Sequence, residues 1–420
     1  MTASGKRATW LVLGALIAGL LLGALSNQAG AVRESLISIA STVGGLWLDA
    51  LKMTVIPLII ALLITGVVSG ADQARAGRIA ARSIICFVIA STASAALGVL
   101  AMPLLLEAFP LPQSAAEALR AGLAGVDTPA AAAPVPTVQD WLRSVIPTNP
   151  IAAAAEDKVL ALVFFTSIFA FAVTQIGAEE RQSVARFFKG IQDAMLVVVG
   201  WVLAPAPVGV LGLAFAVGAG AGGAAFGAVL HYVVLVSLVG IAVTLAAYLV
   251  AISLAGWKLG DFIRAMIPPQ AVAISTQSSL ASLPAMLDAA KQLRVPQRNA
   301  DVSLPLAVAL FRATGPAMNV SVAIYVAYLM GVELQAGNLI AGFAVAAVAS
   351  YWAVSLPGSL TFITSIAPIA LAMGVPIEPL AILIAVEVLP DITRTLGNVT
   401  WDVTAAGVAS RGERAEVREA

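Results

Sequence analysis

The stretch Glu387–Asp402 reads EVLPDITRTLGNVTWD. Six polar side chains in it follow one another at offsets of 4, 3, 1, 3 and 4 residues: Glu387, Asp391, Arg394, Thr395, Asn398 and Asp402. On a helix of 3.6 residues per turn, these offsets place all six side chains on one face. An ionisable group at the centre of a bilayer costs about 2.5–3.5 kcal/mol on insertion scales, so such groups face protein or water. The stripe therefore predicts a binding site or pathway inside a membrane protein, with a structural ion-pair network between packed helices as the alternative.

The composition indicates a protein with many membrane spans. Of the 420 residues, 60% are hydrophobic and 11% are charged, whereas a typical soluble domain has about 25% charged residues. Several apolar runs exceed the roughly 18 residues that mark a spanning helix, which predicts an all-α polytopic protein in the lipid bilayer of the cell (inner or plasma) membrane. Spans from these runs are predicted at about 9–28, 35–70, 79–105, 158–177, 190–219 and 226–256.

Charge gives the orientation and excludes one class of partner. The formal net charge is +0, so nucleic acid is not an expected partner. Lys and Arg concentrate at both termini and in alternate connections, near 71–82, 178–189 and 257–264. By the positive-inside rule, both termini are predicted to be cytoplasmic.

No enzyme activity, cofactor or metal site is expected. The chain has one cysteine, Cys86, and one histidine, His231, which are too few for an internal disulfide or a metal centre built on these residues. His231 lies in an apolar run, which favours a packed or interfacial histidine. The sequence has no HExxH, GxSxG or Walker A pattern. An intramembrane protease that uses Glu387 and Asp391 is a weak hypothesis, because both acids lie on one helix beside Arg394.

Two apolar segments in the second half are long enough to cross a membrane but are broken at their centres. Residues 261–291 contain two adjacent prolines and the hydroxyl-rich run STQSSLASLP, and residues 339–373 contain SLPGSLT. Each precedes a segment predicted as a continuous helix, 302–331 and 376–410 respectively. Interrupted segments in corresponding positions of two halves point to a transporter site near the midplane, because irregular backbone at that depth occurs where it lines a cavity. Two re-entrant hairpins are therefore predicted, with Pro-kinked ordinary helices as the alternative.

With these segments placed, the chain resembles the dicarboxylate/amino acid:cation symporter family, the glutamate transporter homologues. The resemblance runs from the first helix to about Ser410 and is most specific in DITRTLGNVTWD at 391–402. Other matching stretches are LKMTVIPLI at 51–59, IPTNP at 146–150, FFTSIFAFAVT at 164–174, APVGV at 206–210, TQSSLASLP at 276–284 and Leu-Pro-Gly at 356–358. It implies eight transmembrane helices plus two re-entrant hairpins, in an elevator fold with inverted repeats that assembles as a homotrimer.

The resemblance also implies a division into a scaffold and a transport domain. The scaffold would contain helices 1 and 2 within 1–70, and helices 4 and 5 with a long outer loop within 107–219. The transport domain would contain helix 3 within 77–106 and, within 226–410, helix 6, both hairpins, helix 7 and helix 8. Residues 411–420 would form a cytoplasmic tail.

By the family pattern, the polar stripe would bind an acidic substrate. Asp391 would hold an amino group, and Arg394 would hold the side-chain carboxylate, which suits the forked donors of a guanidinium. Further substrate contacts are implied for Thr395, Asn398, Ser278, Ser279, Pro357 and Gly358. The last two lie at the tip of the second hairpin, which would be the gate. Since Glu387 and Asp391 lie one turn apart, either is a candidate carrier if a proton is the coupled ion.

The chain departs from the family at its sodium ligands. The signature Asn-Met-Asp-Gly-Thr reads Phe311, Arg312, Ala313, Thr314 and Gly315 in this sequence. Other ligand positions are occupied by Phe87, Ala90, Ala309 and Ala353. A hard cation requires several oxygen ligands, and these side chains of Phe and Ala have none. Of the first sodium site, the resemblance leaves Asn398 and Asp402.

The sequence therefore predicts a sodium-independent transporter in which Arg312 takes the place of a sodium ion near Asp402, with snorkelling of Arg312 to a surface as the alternative. Transport would be proton-coupled or an exchange. Gln277 stands where several prokaryotic relatives have Arg. The candidate coupling or gating residues are Arg312, Asp402, Glu387 and Gln277.

An acidic amino acid, aspartate or glutamate, is the favoured substrate. A plain dicarboxylate is the nearest alternative, because a ligand without an ammonium group could still use Arg394, and coupling to sodium after all is a further alternative. A substrate-gated anion channel belongs to a different class of function, and broken hairpins with ionisable helices also occur in channels. Concentrative uptake distinguishes the two classes, since a channel cannot accumulate solute against its gradient.

Overall fold

The computed structural model describes most of the chain as a set of packed helices. The described residues are 3–26, 32–75, 78–112, 117, 146–156, 158–221, 224–349 and 359–411. All regular secondary structure within these ranges is helical. Numbered along the chain, the helices are α1 (Ala3–Leu25), α2 (Val32–Lys52), α3 (Val55–Arg75), α4 (Arg78–Ala108), α5 (Pro150–Ala155), α6 (Val159–Val173), α7 (Ala178–Leu203), α8 (Ala206–Ala221), α9 (Ala224–Ser253), α10 (Leu259–Thr276), α11 (Ser279–Gln292), α12 (Gln297–Leu310), α13 (Thr314–Met330), α14 (Ala336–Ala349), α15 (Ser359–Ala372), α16 (Leu380–Leu383) and α17 (Val388–Ala409).

Several of these helices have the length and composition of membrane spans. In the described part of the chain, α4, α9 and the pair α12–α13 are long and apolar enough to cross a bilayer. The pair α7–α8 also passes this test when its bend of 56° is counted as one broken span. These properties agree with the predicted polytopic membrane protein.

Two predicted spans are each divided into two helices. The span predicted at 35–70 consists of α2 and α3, which separate at Met53 and Thr54. The span predicted at 190–219 consists of α7 and α8, which separate next to Pro205, and α7 already begins at Ala178. Each predicted span is therefore broken within its length, and α7 with α8 is long and apolar enough to be one broken span. A proline lies next to each break, and proline lacks the N–H that would continue the helical ladder.

The two helices that follow the predicted hairpins are also interrupted. The segment predicted at 302–331 consists of α12 and α13, and Phe311 between them is extended, with φ −107 and ψ 128. Arg312 therefore lies in a break and not inside an apolar helix as predicted. The segment predicted at 376–410 consists of the short α16, a run of turns, and α17.

Each of the two predicted hairpins is a pair of helices that pack on each other. α10 and α11 meet at Gln277, whose left-handed backbone (φ 51, ψ 37) ends α10. Ser278 then caps α11, because its side chain accepts the N–H of Ala281 at 3.2 Å. α14 and α15 form the second pair. Their connection, which includes the predicted gate residues Pro357 and Gly358 and the position Ala353, lies outside the described residues.

Two groups of helices meet in the fold. α1 and α2 pack against α8, and α3 packs against α6 and α7. α17 packs against α9, α10, α11 and α12, while α13 packs against α4, α9 and α15. α13 is buried on nearly every face. A helix that is apolar all round belongs inside a bundle, and α13 therefore forms the interior wall that α17 faces.

The histidine is packed, as the sequence favoured. His231 on α9 lies between α13 and the end of α4: its Nδ1 is 3.1 Å from the hydroxyl of Tyr325, and its Nε2 is 2.7 Å from the carbonyl oxygen of Phe109. The next residue on α9, Tyr232, packs edge-on against the ring of Tyr325 with centroids 5.3 Å apart. These contacts fix the part of α9 that reaches the polar stripe.

Glycines allow α1 and α8 to approach closely. A Cβ atom built at Gly19 would lie 2.7 Å from both the Cβ of Ala214 and the carbonyl oxygen of Leu211. A Cβ at Gly23 would clash with the carbonyl oxygen of Phe215. Since the obstructing atoms belong to backbone, these positions cannot accept a methyl group without moving the helices apart.

We expect Gly23→Ala to destabilise the protein, because overpacking of a close contact typically costs about 1–3 kcal/mol. Gly14→Ala on the same helix is the control, since a Cβ there has nothing within 4 Å and alanine favours a helix over glycine. Thermal unfolding in detergent measures the difference. Equal melting temperatures for the two variants would show that α1 and α8 do not pack through Gly23.

Candidate functional site

The polar stripe lies along α17 and at its start. Glu387 is the N-cap residue, with helical φ −58 and ψ −24, and the N–H of Asp391 bonds to its carbonyl at 2.9 Å. Pro390 falls in the first turn of α17, where a missing N–H has no helical partner to lose. Of the six predicted stripe residues, four are buried: Glu387, Thr395, Asn398 and Asp402. The stripe therefore faces the interior of the bundle.

The guanidinium of Arg394 is the centre of the site. Its Nη2 forms an ion pair with Oε1 of Glu387 at 2.5 Å, and its Nε lies 3.4 Å from Oδ1 of Asp391. Its Nη1 donates to Oδ1 of Asn319 on α13 at 2.7 Å. Each of the three nitrogen atoms of the guanidinium thus has a partner, and these contacts fix the plane of the group.

Glu387 is held at both of its carboxylate oxygens. Oε1 accepts from Arg394, and Oε2 accepts from the hydroxyl of Tyr232 on α9 at 3.1 Å. Glu387 is 4% exposed. A buried carboxylate with a cation and a hydroxyl donor has the partners that make its burial tolerable.

Asn398 connects α17 to the start of α13. Its Oδ1 accepts from the N–H of Thr314 at 3.0 Å and from the hydroxyl of Thr314 at 2.7 Å. The same hydroxyl lies 2.9 Å from the carbonyl oxygen of Arg394. In an unbroken helix, the N–H of Thr314 would bond to Leu310, so Asn398 replaces the helical acceptor that the break removes. Thr395, also predicted as a ligand, is buried on the same face.

The break that Asn398 caps places Arg312 near the other end of the stripe. The charge of Arg312 is attracted most strongly by Asp402 and next by Asp391. Asp402 is 0% exposed, and neither of its carboxylate oxygens accepts a hydrogen bond from the residues that the structure describes. Arg312 attracts this carboxyl electrostatically, which opposes in part the effect of its burial.

Two aromatic residues at positions for which the resemblance implies sodium ligands pack against each other. The rings of Phe87 on α4 and Phe311 are stacked, with centroids 4.5 Å apart and an interplanar angle of 10°. Trp401 on α17 meets Phe311 edge-on at 6.5 Å. Ala90 and Ala313 are buried as well. An apolar cluster thus occupies this part of the site.

The tip of the first hairpin reaches the start of α17. The side-chain amide of Gln277 donates to the carbonyl oxygen of Val388 at 3.1 Å, next to Glu387. Ser278 and Ser279 begin α11, so the N–H groups and positive dipole end of that helix lie at the tip. The structure therefore brings Gln277 to the start of the polar stripe, and both predicted serines follow it directly in the chain.

Sequence reasoning missed three residues of this site, namely Asn319, Tyr232 and Thr314 in its role at the break. Asn319 is an amide inside an apolar helix, which is itself a signal of a polar contact in the bundle. Tyr232 gave no such signal, because a tyrosine in an apolar run is equally expected in the core.

The arrangement as a whole, with two guanidinium groups, three carboxylates and a helix N-terminus, can bind a small molecule that carries carboxylates and an ammonium group.

Comparisons with known proteins identify the family of this chain. The profile of the sodium:dicarboxylate symporter family matches residues 8–411. The chain is 27% identical over 413 residues to the proton/glutamate-aspartate symporter of Escherichia coli (strain K12), covering 96% of this chain and 92% of that protein. It is 28% identical over 404 residues to the proton/sodium-glutamate symport protein of Bacillus subtilis (strain 168), covering 95% and 92%. It is 24% identical over 413 residues to the C4-dicarboxylate transport protein of Laribacter hongkongensis (strain HLHK9), covering 96% and 89%.

The family that the sequence resembled is thereby confirmed, over nearly the whole chain. The helices that the structure describes, and the apolar composition of the chain, are those of an integral membrane protein. This all-helical polytopic protein, a transporter and not an enzyme, belongs to the sodium:dicarboxylate symporter family.

Proposed function

We propose that this protein is a secondary active transporter of acidic amino acids, aspartate or glutamate, in the cell membrane. The observation that carries the proposal is the guanidinium of Arg394, held in plane by Glu387, Asp391 and Asn319. A planar fork of this kind suits a carboxylate ligand. Asp391 beside it supplies a carboxylate for an ammonium group. Two of the relatives are named as glutamate or glutamate-aspartate symporters, which supports this choice.

A C4-dicarboxylate is the second candidate substrate. One relative is named for such substrates, and a dicarboxylate would use Arg394 without the help of Asp391. The two candidates thus differ in what they require from a single side chain. Asp391 decides between them because it is the carboxylate that an ammonium group needs.

We propose further that binding and transport do not require sodium. Sodium needs several oxygen ligands, and the stacked rings of Phe87 and Phe311 fill ligand positions of the family with carbon atoms. Arg312 and Asp402 attract each other, so the guanidinium would take the place that the family pattern gives to a sodium ion. Relative to the family signature, one Asp is lost and one Arg is gained, so the local charge rises by two. The coupled ion would then be a proton, or the protein would exchange one substrate for another.

The proposed mechanism is an elevator with a gate at each hairpin tip. The packing of α1 and α2 on α8 and of α3 on α6 and α7 supports a scaffold, and the packing of α9–α13 around α17 supports a transport domain. The full proposal is eight transmembrane helices plus two re-entrant hairpins with inverted repeats, a homotrimer, and both termini in the cytoplasm. Gln277, bonded to Val388, would act at the tip of the first hairpin. Pro357 and Gly358 would act at the tip of the second.

Arg394→Cys should abolish binding of acidic substrates, because truncation of one member of a buried charge pair costs about 2–5 kcal/mol, at least a thirtyfold loss of affinity. Asp391→Asn should lose amino acids but keep plain dicarboxylates. Calorimetry on purified protein with aspartate, glutamate and succinate measures both effects. Arg294→Cys is the control, since Arg294 is exposed at the end of α11. Unchanged aspartate and glutamate binding by Arg394→Cys would refute the assignment.

Substrate affinity should be equal in sodium and in choline, because in this proposal the guanidinium of Arg312 takes the place of the ion near Asp402. Calorimetry of the native protein in the two salts measures this. The triple variant Phe311→Asn, Arg312→Met, Ala313→Asp should acquire a sodium response. A tenfold or greater tightening of native binding by sodium, about 1.4 kcal/mol of coupling, would contradict the proposal. In reconstituted liposomes, uptake against a gradient would exclude a substrate-gated channel.

A further inference from the structure

The guanidinium of Arg394 keeps donors that a ligand can use while its contacts with the protein remain. A guanidinium carries two N–H groups on each Nη nitrogen and one on Nε. Glu387 uses one N–H of Nη2, Asn319 uses one N–H of Nη1, and Asp391 lies at Nε. Each Nη nitrogen therefore has one N–H without a partner among the described residues. The side chain is 11% exposed, so a carboxylate can bind these two N–H groups without displacing a protein contact.

The amide of Asn319 on α13 has one possible orientation in this network. A guanidinium has donors and no acceptor, so the atom of Asn319 that meets Nη1 of Arg394 at 2.7 Å must be the oxygen Oδ1. Nδ2 of the same planar group then has no hydrogen-bond partner among the described residues, and it is not one of the fully enclosed atoms that lack a partner. Asn319 is only 5% exposed, so a buried side chain presents an unused donor beside Arg394.

The start of α13 leaves room beside this donor. Gly315 lies about one turn before Asn319, and a Cβ built at Gly315 would lie 4.0 Å from Nδ2 of Asn319 and 3.6 Å from the Cβ of Arg312. Apart from its chain neighbours and the backbone of its own helix, that Cβ would have no other neighbour within 4 Å among the described residues. The glycine therefore leaves space next to Nδ2 that a ligand atom can occupy.

On the basis of the proposed function, we infer that Asn319 is a substrate-binding residue, whose Nδ2 donates to the side-chain carboxylate that Arg394 binds. One oxygen of this carboxylate accepts from the unused N–H of Nη1 and from Nδ2, because a carboxylate oxygen can accept two hydrogen bonds. The other oxygen accepts from the unused N–H of Nη2. A buried donor that lacks a partner is costly, and the ligand supplies that partner.

The contact also gives the site a means to reject a carboxamide. Arg394 and Nδ2 of Asn319 present donors alone to the end of the ligand side chain. Both oxygens of a carboxylate accept from them, whereas the NH2 group of asparagine or glutamine would meet N–H groups. A site built to bind one hydrogen-bonding pattern rejects a ligand that leaves its donors unpaired.

Asn319→Asp reverses the hydrogen-bonding character of this position and is the main test. Its carboxylate still accepts from Nη1 of Arg394, but the donor toward the ligand becomes an acceptor. Aspartate should bind at least about tenfold more weakly, because two carboxylates would face each other. Asparagine should bind at least about tenfold more tightly than it binds to the native protein, because its amide can donate to the new carboxylate. Calorimetry of the purified full-length proteins with L-aspartate and L-asparagine measures the four affinities.

The gain for asparagine separates a direct contact from a supporting role. If Asn319 only held Arg394 in place, the new carboxylate would weaken aspartate by drawing on the charge of Arg394, and it would give asparagine no new partner. Loss of aspartate binding with no gain of asparagine binding would therefore overturn the inference.

Asn338→Asp is the matched control. Asn338 on α14 also uses its amide within the protein, since Oδ1 accepts the N–H of Gln335 at 2.9 Å and Nδ2 donates to the carbonyl oxygen of Met373 at 3.0 Å. It lies outside the polar stripe, so this variant should leave the affinities for aspartate and asparagine unchanged. A reversal of selectivity in Asn338→Asp as well would overturn the assignment to Asn319.

Gly315→Ala tests the same space without changing a polar group. A methyl group fits there at ordinary contact distances, and alanine favours a helix over glycine, so the variant should fold. It should weaken aspartate binding several-fold, because the methyl group takes part of the space that the ligand carboxylate needs beside Nδ2. If Asn319→Asp does not fold, as judged by gel filtration, Gly315→Ala decides, and an unchanged aspartate affinity would overturn the inference.

Failure of the inference differs from failure of the proposed function. Native protein that binds aspartate or glutamate, with variants that do not respond as expected, leaves the proposed substrate intact and removes the contact of Asn319. Native protein that binds neither aspartate nor glutamate nor succinate refutes the proposed function together with the inference. Binding of succinate alone would favour the second candidate substrate, and the same reversal in Asn319→Asp is then required between succinate and its half-amide.

Discussion

The buried guanidinium of Arg394 is the interaction on which the rest of this site depends. A charge at that depth must be compensated, and the compensation comes from two helices: Glu387 and Asp391 on α17, and Asn319 on α13. Tyr232 extends the same network to α9. The site is therefore rigid because a single cation requires these helices to stay in register.

The break between α12 and α13 is likewise stabilised by contacts within the site. The extended backbone of Phe311 ends one helix and redirects the chain before the next begins. Asn398 then accepts the N–H that the break leaves without a helical partner. The cost of an interrupted helix is thus offset within the site, and the interruption delivers Arg312 toward Asp402.

The same region contains the positions for which the resemblance implies sodium ligands. The rings of Phe87 and Phe311 are stacked there in a packed apolar contact. Phe311 and Arg312 are neighbours in the chain. The ring of Phe311 stacks on Phe87 of α4, while Arg312 is attracted by the acids of α17. In the proposed sodium-independent transporter, this pairing would leave no ion for a partial set of oxygen ligands to bind.

The sequence by itself determined the all-helical membrane class, the family and the face of α17 that carries the polar side chains. It could do so because hydrophobic run length and helical periodicity are local properties. The resemblance also placed the tip of the first hairpin at Ser278 and Ser279, and the structure ends α10 at Gln277 just before them.

Only the tertiary structure decided which of these polar residues meet. The separation of α12 from α13, the use of Asn398 as a cap for Thr314, and the closure of Glu387 onto Arg394 all depend on contacts between helices far apart in sequence. Tyr232 and Asn319 joined the site for the same reason. Local propensity fixes the direction of a side chain on its own helix, but the partner of a buried charge is set by the packing of whole helices, which no local pattern encodes.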